Sequence, residues 1–395
     1  MSLPRPEWVV IDVLDIGYRR PGGPPVTPEV GVTNRKGSTV ADPTGAIAHG
    51  EQSMRALLLL ALSALSFAVT SSGIAAVGTI PSTMRAAAFD KAGGPEVLSV
   101  HELPVPTPRG SEVLIAVHGA GVAVWEADMR QHASNRAPFP LVLGSDGAGK
   151  IVAMGSDVRG FKVGDEVYGT GIGFYAEYVK VRADRIAHVP KGIDLTQASI
   201  LAISGLSALQ GIDDVLQLKA GQTLIVHGAA GGVGTVAIQL AKLRGVRVLA
   251  TASTEEGLAL ARQLGADAVV NGRTGDIAAT AKQFAPAGVD AVLGLAGGDA
   301  LEHCIDALRP GQGRVAYMYG LEPIPRPRGN MRMILYSFVG GTSELERLNK
   351  AVESAKLQVP VAAEYSLADA AAAHRRLEAG HLLGKIVLIA TGESR

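Results

Sequence analysis

Hydrophobic and polar positions change rhythm twice along the chain. From Met84 the apolar residues come in short runs, LIAVHGAGV, KIVAMG, GDEVYG and YAEYVKV, punctuated by Gly and Pro. Such runs predict strands joined by tight turns, and together a compact β-rich domain. From about Ser207 the rhythm becomes apolar run, helix-length stretch, apolar run: TLIVHG (223–228), RVLATA (247–252), DAVV (267–270), DAVLGLA (290–296) and GRVAYMYG (313–320). That alternation predicts an α/β domain whose parallel sheet is covered on both faces. The last fifty or so residues hold one helix-like stretch, LADAAAAHRRLEAG, and a closing strand, KIVLIA. No internal repeat is present.

The stretch His227–Lys242, HGAAGGVGTVAIQLAK, carries the clearest candidate chemistry. A strand at Thr223–Gly228 leads into it, and Val233, Val236, Ala237, Leu240 and Ala241 beyond it fall on one helix face. Between them Ala229, Gly231 and Gly234 form an A-x-G-x-x-G version of the dinucleotide fingerprint. Gly231 has no side chain to keep a pyrophosphate from the backbone, Gly234 lets helix and strand pack closely, and the helix N-terminus adds free N–H groups and a positive dipole end. Ala229 stands where a glycine ordinarily relieves the turn. The backbone of Ala230, Gly231, Gly232, Val233 and Gly234 is the expected cofactor cradle. After the next strand the chain reads ATASTEE, with Thr251, Ala252 and Ser253 where NAD binders place a carboxylate about 20 positions on. A carboxylate would repel the additional phosphate of NADP, whereas hydroxyls accept it. Ser253 and Thr254 are therefore candidate phosphate contacts, with Arg273 a third, and the expected cofactor is NADP(H). Glu255 and Glu256 read as the first turn of the following helix.

Composition bounds the rest. The 395 residues are 47% hydrophobic, enough for two ordinary domains, and 37 basic residues balance 37 acidic ones. That balance gives no electrostatic case for nucleic acid or an anionic membrane as partner, and favours a small molecule. The single cysteine, Cys304, can form neither an internal disulfide nor a multi-cysteine zinc site, and reads as a small buried helix residue. Residues 1–53 are rich in Pro, Gly and polar residues and lack a sustained period, so disorder is the expectation. Ala56–Ile80 carries no charge and is long enough to span a bilayer. Three readings stand: a secretory signal beginning at Met54, a membrane anchor, or a start at Met84 with residues 1–83 dispensable. The protein is cytoplasmic in the last case and exported in the first.

Taken together, MRAAAFDKAGGPEVL, GSDGAG, FKVGDEVYG, GAAGGVG with AIQLAK, RQLGAD and GKIVL resemble the medium-chain dehydrogenase/reductases, and within them the zinc-free quinone oxidoreductase (zeta-crystallin-like) branch. The resemblance runs from about Met84 to Ala390. It implies a GroES-like catalytic domain over 84–206, a Rossmann doubly wound domain over 207–340, a return to the catalytic domain over 341–395, and an active site in the cleft between the two. It also implies a homodimer or homotetramer. At the positions of the family's zinc ligands this chain has Ala123 after Gly121-Val122, Ser145-Asp146 after Gly144, and Ile203. A catalytic zinc needs three N, S or O ligands and an open fourth position, so no metal is expected. Ser207 matches the family Thr that lies by the nicotinamide, and Lys385 of GKIVL joins the cofactor-binding set. The family's pocket Asn and Tyr are Ala123 and Asp128 here, and a Lys and Tyr that grip the NADP phosphate in some relatives are Gly257 and Gly272.

VWEADMR (124–130) would line the cleft, with Trp125 and Met129 as an apolar wall and Glu126 and Arg130 as a pair. A structural turn in which that Glu and Arg pair with each other is the competing reading. Tyr168 and Tyr175 read as strand-packing residues rather than acids, Tyr175 bordering the pocket. Catalytic candidates are Ser207, Glu126 and Arg130. The expected reaction is hydride transfer from NADPH to a quinone or enone, an acceptor polarised enough to need orientation more than a Lewis acid. The proton would come from water, Ser207 or a ribose hydroxyl, and His118, His132 and His227 read as packing or surface residues. Enoyl or alkenal reduction, and a non-catalytic NADPH-binding role, are the alternatives.

Overall fold

Turn-rich β sequence after Ile80 and strand–helix alternation after Ser207 separate into two lobes in the computed structural model, which describes residues 80–133, 139–329 and 331–390. The first lobe is laid down by β1 (Thr83–Phe89), β2 (Ser99–Pro104), β3 (Glu112–Val122), α1 (Val124–His132), β4 (Leu141–Val142), β5 (Asp146–Met154), β6 (Glu166–Thr170), β7 (Tyr178–Arg182) and β8 (Ile186–His188). Short α2 (Leu195–Ala198), capped by Asp194, and fully buried α3 (Leu201–Gln210) lead across. The second lobe alternates β9 (Thr223–His227), α4 (Gly232–Leu243), β10 (Arg247–Ala252), α5 (Glu255–Gln263), β11 (Ala268–Asn271), α6 (Ile277–Phe284), β12 (Ala291–Gly294), α7 (Asp299–Asp306), β13 (Arg314–Met318) and β14 (Arg332–Tyr336). The chain then returns through α8 (Thr342–Ala355), β15 (Val361–Ser366), α9 (Ala370–Glu378) and β16 (Lys385–Ile389).

The second lobe's six strands stand in the order β11-β10-β9-β12-β13-β14, all parallel. Helices cover both faces, so β9 and β12 are buried at every position and read as continuous apolar runs rather than alternating ones. Strand order reverses between β9 and β12. The C-terminal ends of those two strands form the switch point where doubly wound sheets bind ligands.

The first lobe is one seven-stranded sheet, β15-β16-β3-β5-β6-β8 with β7 also on β3, plus a three-stranded sheet β2-β1-β4. Its last strand comes from the far end of the chain, β16 pairing antiparallel with β3 from Ile386↔Val122 to Ile389↔Gly119. Side chains of both lobes share one hydrophobic cluster, in which Ala148, Tyr168 and Ala187 pack with α3, α4 and α8. The Tyr168 hydroxyl donates to Asn349 Oδ1 of α8 at 2.7 Å, and Thr342 Oγ1 donates to the Ile186 carbonyl at 3.0 Å, so α8 fastens the lobes together. Cys304 is buried within α7, and burial pushes its thiol up to about 12. The sequence expectations for residues 1–79, the apolar stretch among them, lie outside the described residues. Among the described residues no helix is long and apolar enough to cross a membrane.

Candidate active site

At the switch point β9 ends in His227 and the chain turns through Gly228, whose φ is +83°. The left-handed residue is thus one place ahead of Ala229, which needs no special conformation and lies fully buried. That is why alanine is accepted at the first fingerprint position. Gly231 is the N-cap of α4, so no side chain caps the helix. A Cβ built on Gly231 would find nothing nearer than the Gly228 carbonyl oxygen at 3.6 Å, an ordinary van der Waals contact with no clash. On Gly234 the same atom would collide with the Gly228 carbonyl and come within 2.7 Å of Ala229 Cα. One glycine keeps room for a ligand; the other lets α4 press against the strand.

Of the residues expected at the adenosine end, Ser253 and Thr254 follow β10 directly. Thr254 Oγ1 accepts the Gly257 N–H at 3.1 Å and caps α5, as the first-turn placement of Glu255 and Glu256 requires. Ser253 Oγ lies 2.7 Å from His381 Nδ1. Arg273 sits exposed in the turn after β11, its backbone N–H donating to Asn271 Oδ1. Lys385 lies against the cradle, its Cβ 3.2 Å from where a Cβ on Gly232 would be. Its Nζ donates to both carboxylate oxygens of Asp146 at 2.8 Å, in an ion pair that is all but closed to solvent.

The pair expected between Glu126 and Arg130 does not form, and neither side chain is exposed. Glu126 accepts from Ser145 Oγ (2.7 Å), Tyr175 Oη (2.7 Å) and the Ala123 N–H (2.9 Å). Burial raises its carboxyl above the ordinary value, against the lowering by the Ser145 and Tyr175 hydrogen bonds. Arg130 turns to α9 instead, donating to His374 Nδ1 at 2.8 Å and Glu378 Oε1 at 2.6 Å. Both arrangements depart from the local pairing because stronger partners arrive from other elements. A guanidinium only donates, so His374 Nδ1 must accept and its hydrogen sits on Nε2, 3.3 Å from Tyr175 Oη. The donors therefore run in one direction, from Arg130 through His374 and Tyr175 into Glu126. Tyr175 is a buried member of this network rather than an open pocket wall, and burial lifts its hydroxyl well above the ordinary value. Met129 lies in the first lobe's core, and Trp125, half-buried, packs against the cores of both lobes. Ser207 is fully buried on α3, and its Oγ has no hydrogen-bond partner among the described residues.

His374 escaped the sequence reading. It sits in an alanine-rich helix, and only its partner Arg130, 244 residues away, reveals it. Burial, with Arg130 beside it, holds the ring down to about 3, and burial alone holds His227 down to about 4, both from the ordinary 6.5. As the pH falls, the unfolded chain binds these protons first. Their contribution to stability is complete above pH 6.5 and is lost progressively toward 4 and 3. Each ring adds a slope of about 1.4 kcal/mol per pH unit in that window. Glu126 acts in the opposite sense, its contribution being present below 4.5 and lost as the pH rises through its folded value. Urea titrations from pH 7.5 to 4.5 should show the acid limb of the His374→Gln variant shallower than that of the parent by about 1.4 kcal/mol per pH unit; equal slopes would contradict this account.

Such a site, a glycine cradle at the switch point of a doubly wound sheet beside a β-rich lobe, defines a two-lobed dehydrogenase or reductase. Comparison with known proteins agrees. Residues 109–191 match the alcohol dehydrogenase GroES-like domain and residues 264–388 the zinc-binding dehydrogenase model. The chain is 34% identical to the quinone oxidoreductase of Mus musculus over 324 residues, covering 78% of this chain and 98% of that protein. Against the quinone oxidoreductase of Pseudomonas aeruginosa it is 30% identical, covering 76% and 98%. Among solved structures, the quinone oxidoreductase from Coxiella burnetii superposes with a TM-score of 0.69 at 32% identity, covering 78% of this chain and 99% of that one. That of Escherichia coli complexed with NADPH gives 0.69 at 26% identity over 77% and 99%. The chain belongs to the medium-chain dehydrogenase/reductase family. Its relatives there include quinone oxidoreductases of mammals and bacteria.

Proposed function

We propose that the protein is an NADP(H)-dependent oxidoreductase that reduces a quinone or a related conjugated carbonyl without zinc. The observation that carries this reading is the glycine cradle itself: an uncapped helix N-terminus with no side chain at Gly231, at the switch point of the sheet. Relatives named quinone oxidoreductase, one solved with NADPH, support the choice of cofactor and acceptor.

The backbone N–H groups of Gly231–Gly234 and the dipole of α4 hold the diphosphate. Lys385, fixed by Asp146, packs its side chain against the cradle at Gly232. Ser253 and Arg273 stand at the adenosine end. Bound NADPH supplies the hydride, and a conjugated carbonyl is polarised enough to accept it. Ser207 offers its unsatisfied hydroxyl to the nicotinamide end, and Trp125 forms part of the apolar wall. Glu126, Tyr175, His374 and Arg130 act at one remove, locking Ser145 and the start of β5 in place. The residues at the family's zinc positions do not fit that ion. Ala123 and Ile203 carry no donor, Ser145 is committed to Glu126, and both oxygens of Asp146 are taken by Lys385. Among the described residues no group of three His, Cys, Asp or Glu is placed to hold a metal.

NADPH oxidation should accelerate far above background with a naphthoquinone, and less with an enone. Tight NADPH binding with no acceptor turned over would point to a non-catalytic protein, and preferential turnover of enones to an alkenal reductase. Removing the Ser207 hydroxyl should relieve an unmet buried donor, so Ser207→Ala gains about 1 kcal/mol without cofactor. Its melting temperature should then rise less on adding NADPH than the parent's does; an equal rise places the hydroxyl away from the cofactor. We also place a dimer contact on the open edge of β14, the end strand of the parallel sheet, beside exposed Tyr319 and Ile324. Light scattering should give twice the chain mass, and Ile334→Pro in β14 should lower it; a monomeric parent would refute this.

A further inference from the structure

The loop between α9 and β16 crosses from the first lobe to the second under tight constraint. Gly380 and Gly384 have φ values of +71° and +102°, and between them His381, which does carry a Cβ, is held at +51°. L-residues avoid that region, and where one is kept there the surroundings over-determine it, commonly at ligand sites. Gly384 anchors one end of the loop on the cofactor cradle. Its N–H donates to the Ala230 carbonyl at 2.8 Å and it bridges to Gly231, while a Cβ on it would strike the Pro360 carbonyl. Arg376 Nη1 donates to the Gly380 carbonyl at 2.7 Å. From the loop's middle, His381 Nδ1 meets Ser253 Oγ at 2.7 Å.

Ser253 directly follows β10, where a doubly wound sheet receives the ribose of the adenosine half. The β10–α5 turn itself offers an additional phosphate little. The Thr254 hydroxyl is committed to capping α5, and Glu255 and Glu256 put two exposed carboxylates in the first turn. A donor for an anion there must come from another element. His381 qualifies: Nδ1 is engaged by Ser253, the residue is exposed, and Nε2 is the ring's remaining polar edge. Arg376 brings a guanidinium to the same loop.

We infer that His381, a residue of the first lobe, recognises the 2′-phosphate of the cofactor and so sets the preference for NADPH over NADH. This rests on the NADP(H) reading above. In this way the first lobe supplies a donor that the β10–α5 turn lacks, beside Arg273 of the second lobe.

The test is calorimetric titration of adenosine 2′,5′-bisphosphate and adenosine 5′-monophosphate into the full chain, in the parent and in His381→Gly. Glycine accepts positive φ without strain, so the variant should keep the parent's melting temperature. The parent should favour the bisphosphate, and the variant should bind it about tenfold more weakly, the loss of one charge-assisted hydrogen bond. Affinity for the monophosphate should stay unchanged. Asparagine also tolerates this backbone, and His381→Asn, retaining a neutral donor, should fall between the two. The KM for NADPH should rise with the bisphosphate constant while that for NADH stays put. If His381→Gly keeps the parent's full preference, His381 only latches the lobes together; the inference is overturned and the NADP(H) reading stands. If the parent itself shows no preference for the bisphosphate, that reading fails and takes the inference with it.

Discussion

Asp146→Ala should destabilise the protein by about 3–5 kcal/mol, because it strands a buried ammonium. Lys385 Nζ donates to both oxygens of Asp146, and the two residues are 7% and 1% exposed. Removing the carboxylate leaves that charge with no anion in hydrogen-bond contact in a site where water cannot replace it. The pair joins β5 to β16, so the loss should appear as a lower urea midpoint for the whole transition. The double variant Asp146→Ala/Lys385→Met takes both charges away together and should recover most of the loss, since an apolar pair of similar bulk can match a buried ion pair. A single variant that loses less than about 1 kcal/mol would show that water reaches the lysine, and the pair would then count as a surface one.

The second large effect separates two glycines three residues apart. A Cβ on Gly234 meets the Gly228 carbonyl and Ala229 Cα, which are backbone atoms of the turn and cannot swing aside. Gly234→Ala should therefore cost about 1–3 kcal/mol in stability, the range for overpacking, and should distort the cradle with it. A Cβ on Gly231 meets nothing closer than an ordinary contact, so Gly231→Val should leave the melting temperature within a degree or two of the parent. Its isopropyl group would occupy the volume meant for the diphosphate, and NADPH affinity should fall by about a hundredfold or more, given what a helix N-terminus and its N–H groups contribute to anion binding. Fluorescence titration with NADPH alongside thermal melts reads both quantities. If Gly231→Val bound NADPH as well as the parent, the diphosphate would not lie on this turn.

These contrasts show what the sequence could carry. The strand–turn–helix unit from β9 to α4 was legible because its parts are contiguous and their periodicities change at the turn. The parallel sheet was legible from its unbroken apolar runs. The departure at Ala229 was legible as a departure; its explanation, a positive φ displaced onto Gly228, needed coordinates. The network around Glu126 was not legible. Glu126 and Arg130 are four residues apart on one helix, a spacing that favours a pair, and nothing local signals otherwise. Their actual partners, Ser145 and Tyr175 for one and His374 and Glu378 for the other, arrive over separations of 19 to 248 residues. The same holds for Lys385 with Asp146, and for His381 with Ser253. Contacts made by a chain that leaves a lobe and later re-enters it leave no periodic trace.

That re-entry also sets a schedule on the ribosome. The outer edge of β3 along Gly119–Val122 is closed only by β16, whose residues emerge some 260 positions later. At ordinary translation speeds the interval is on the order of ten to fifty seconds. Throughout it, the nascent first lobe carries an unfilled strand position next to α1. The polypeptide therefore has to be shielded from neighbouring chains while the second lobe is still being synthesised.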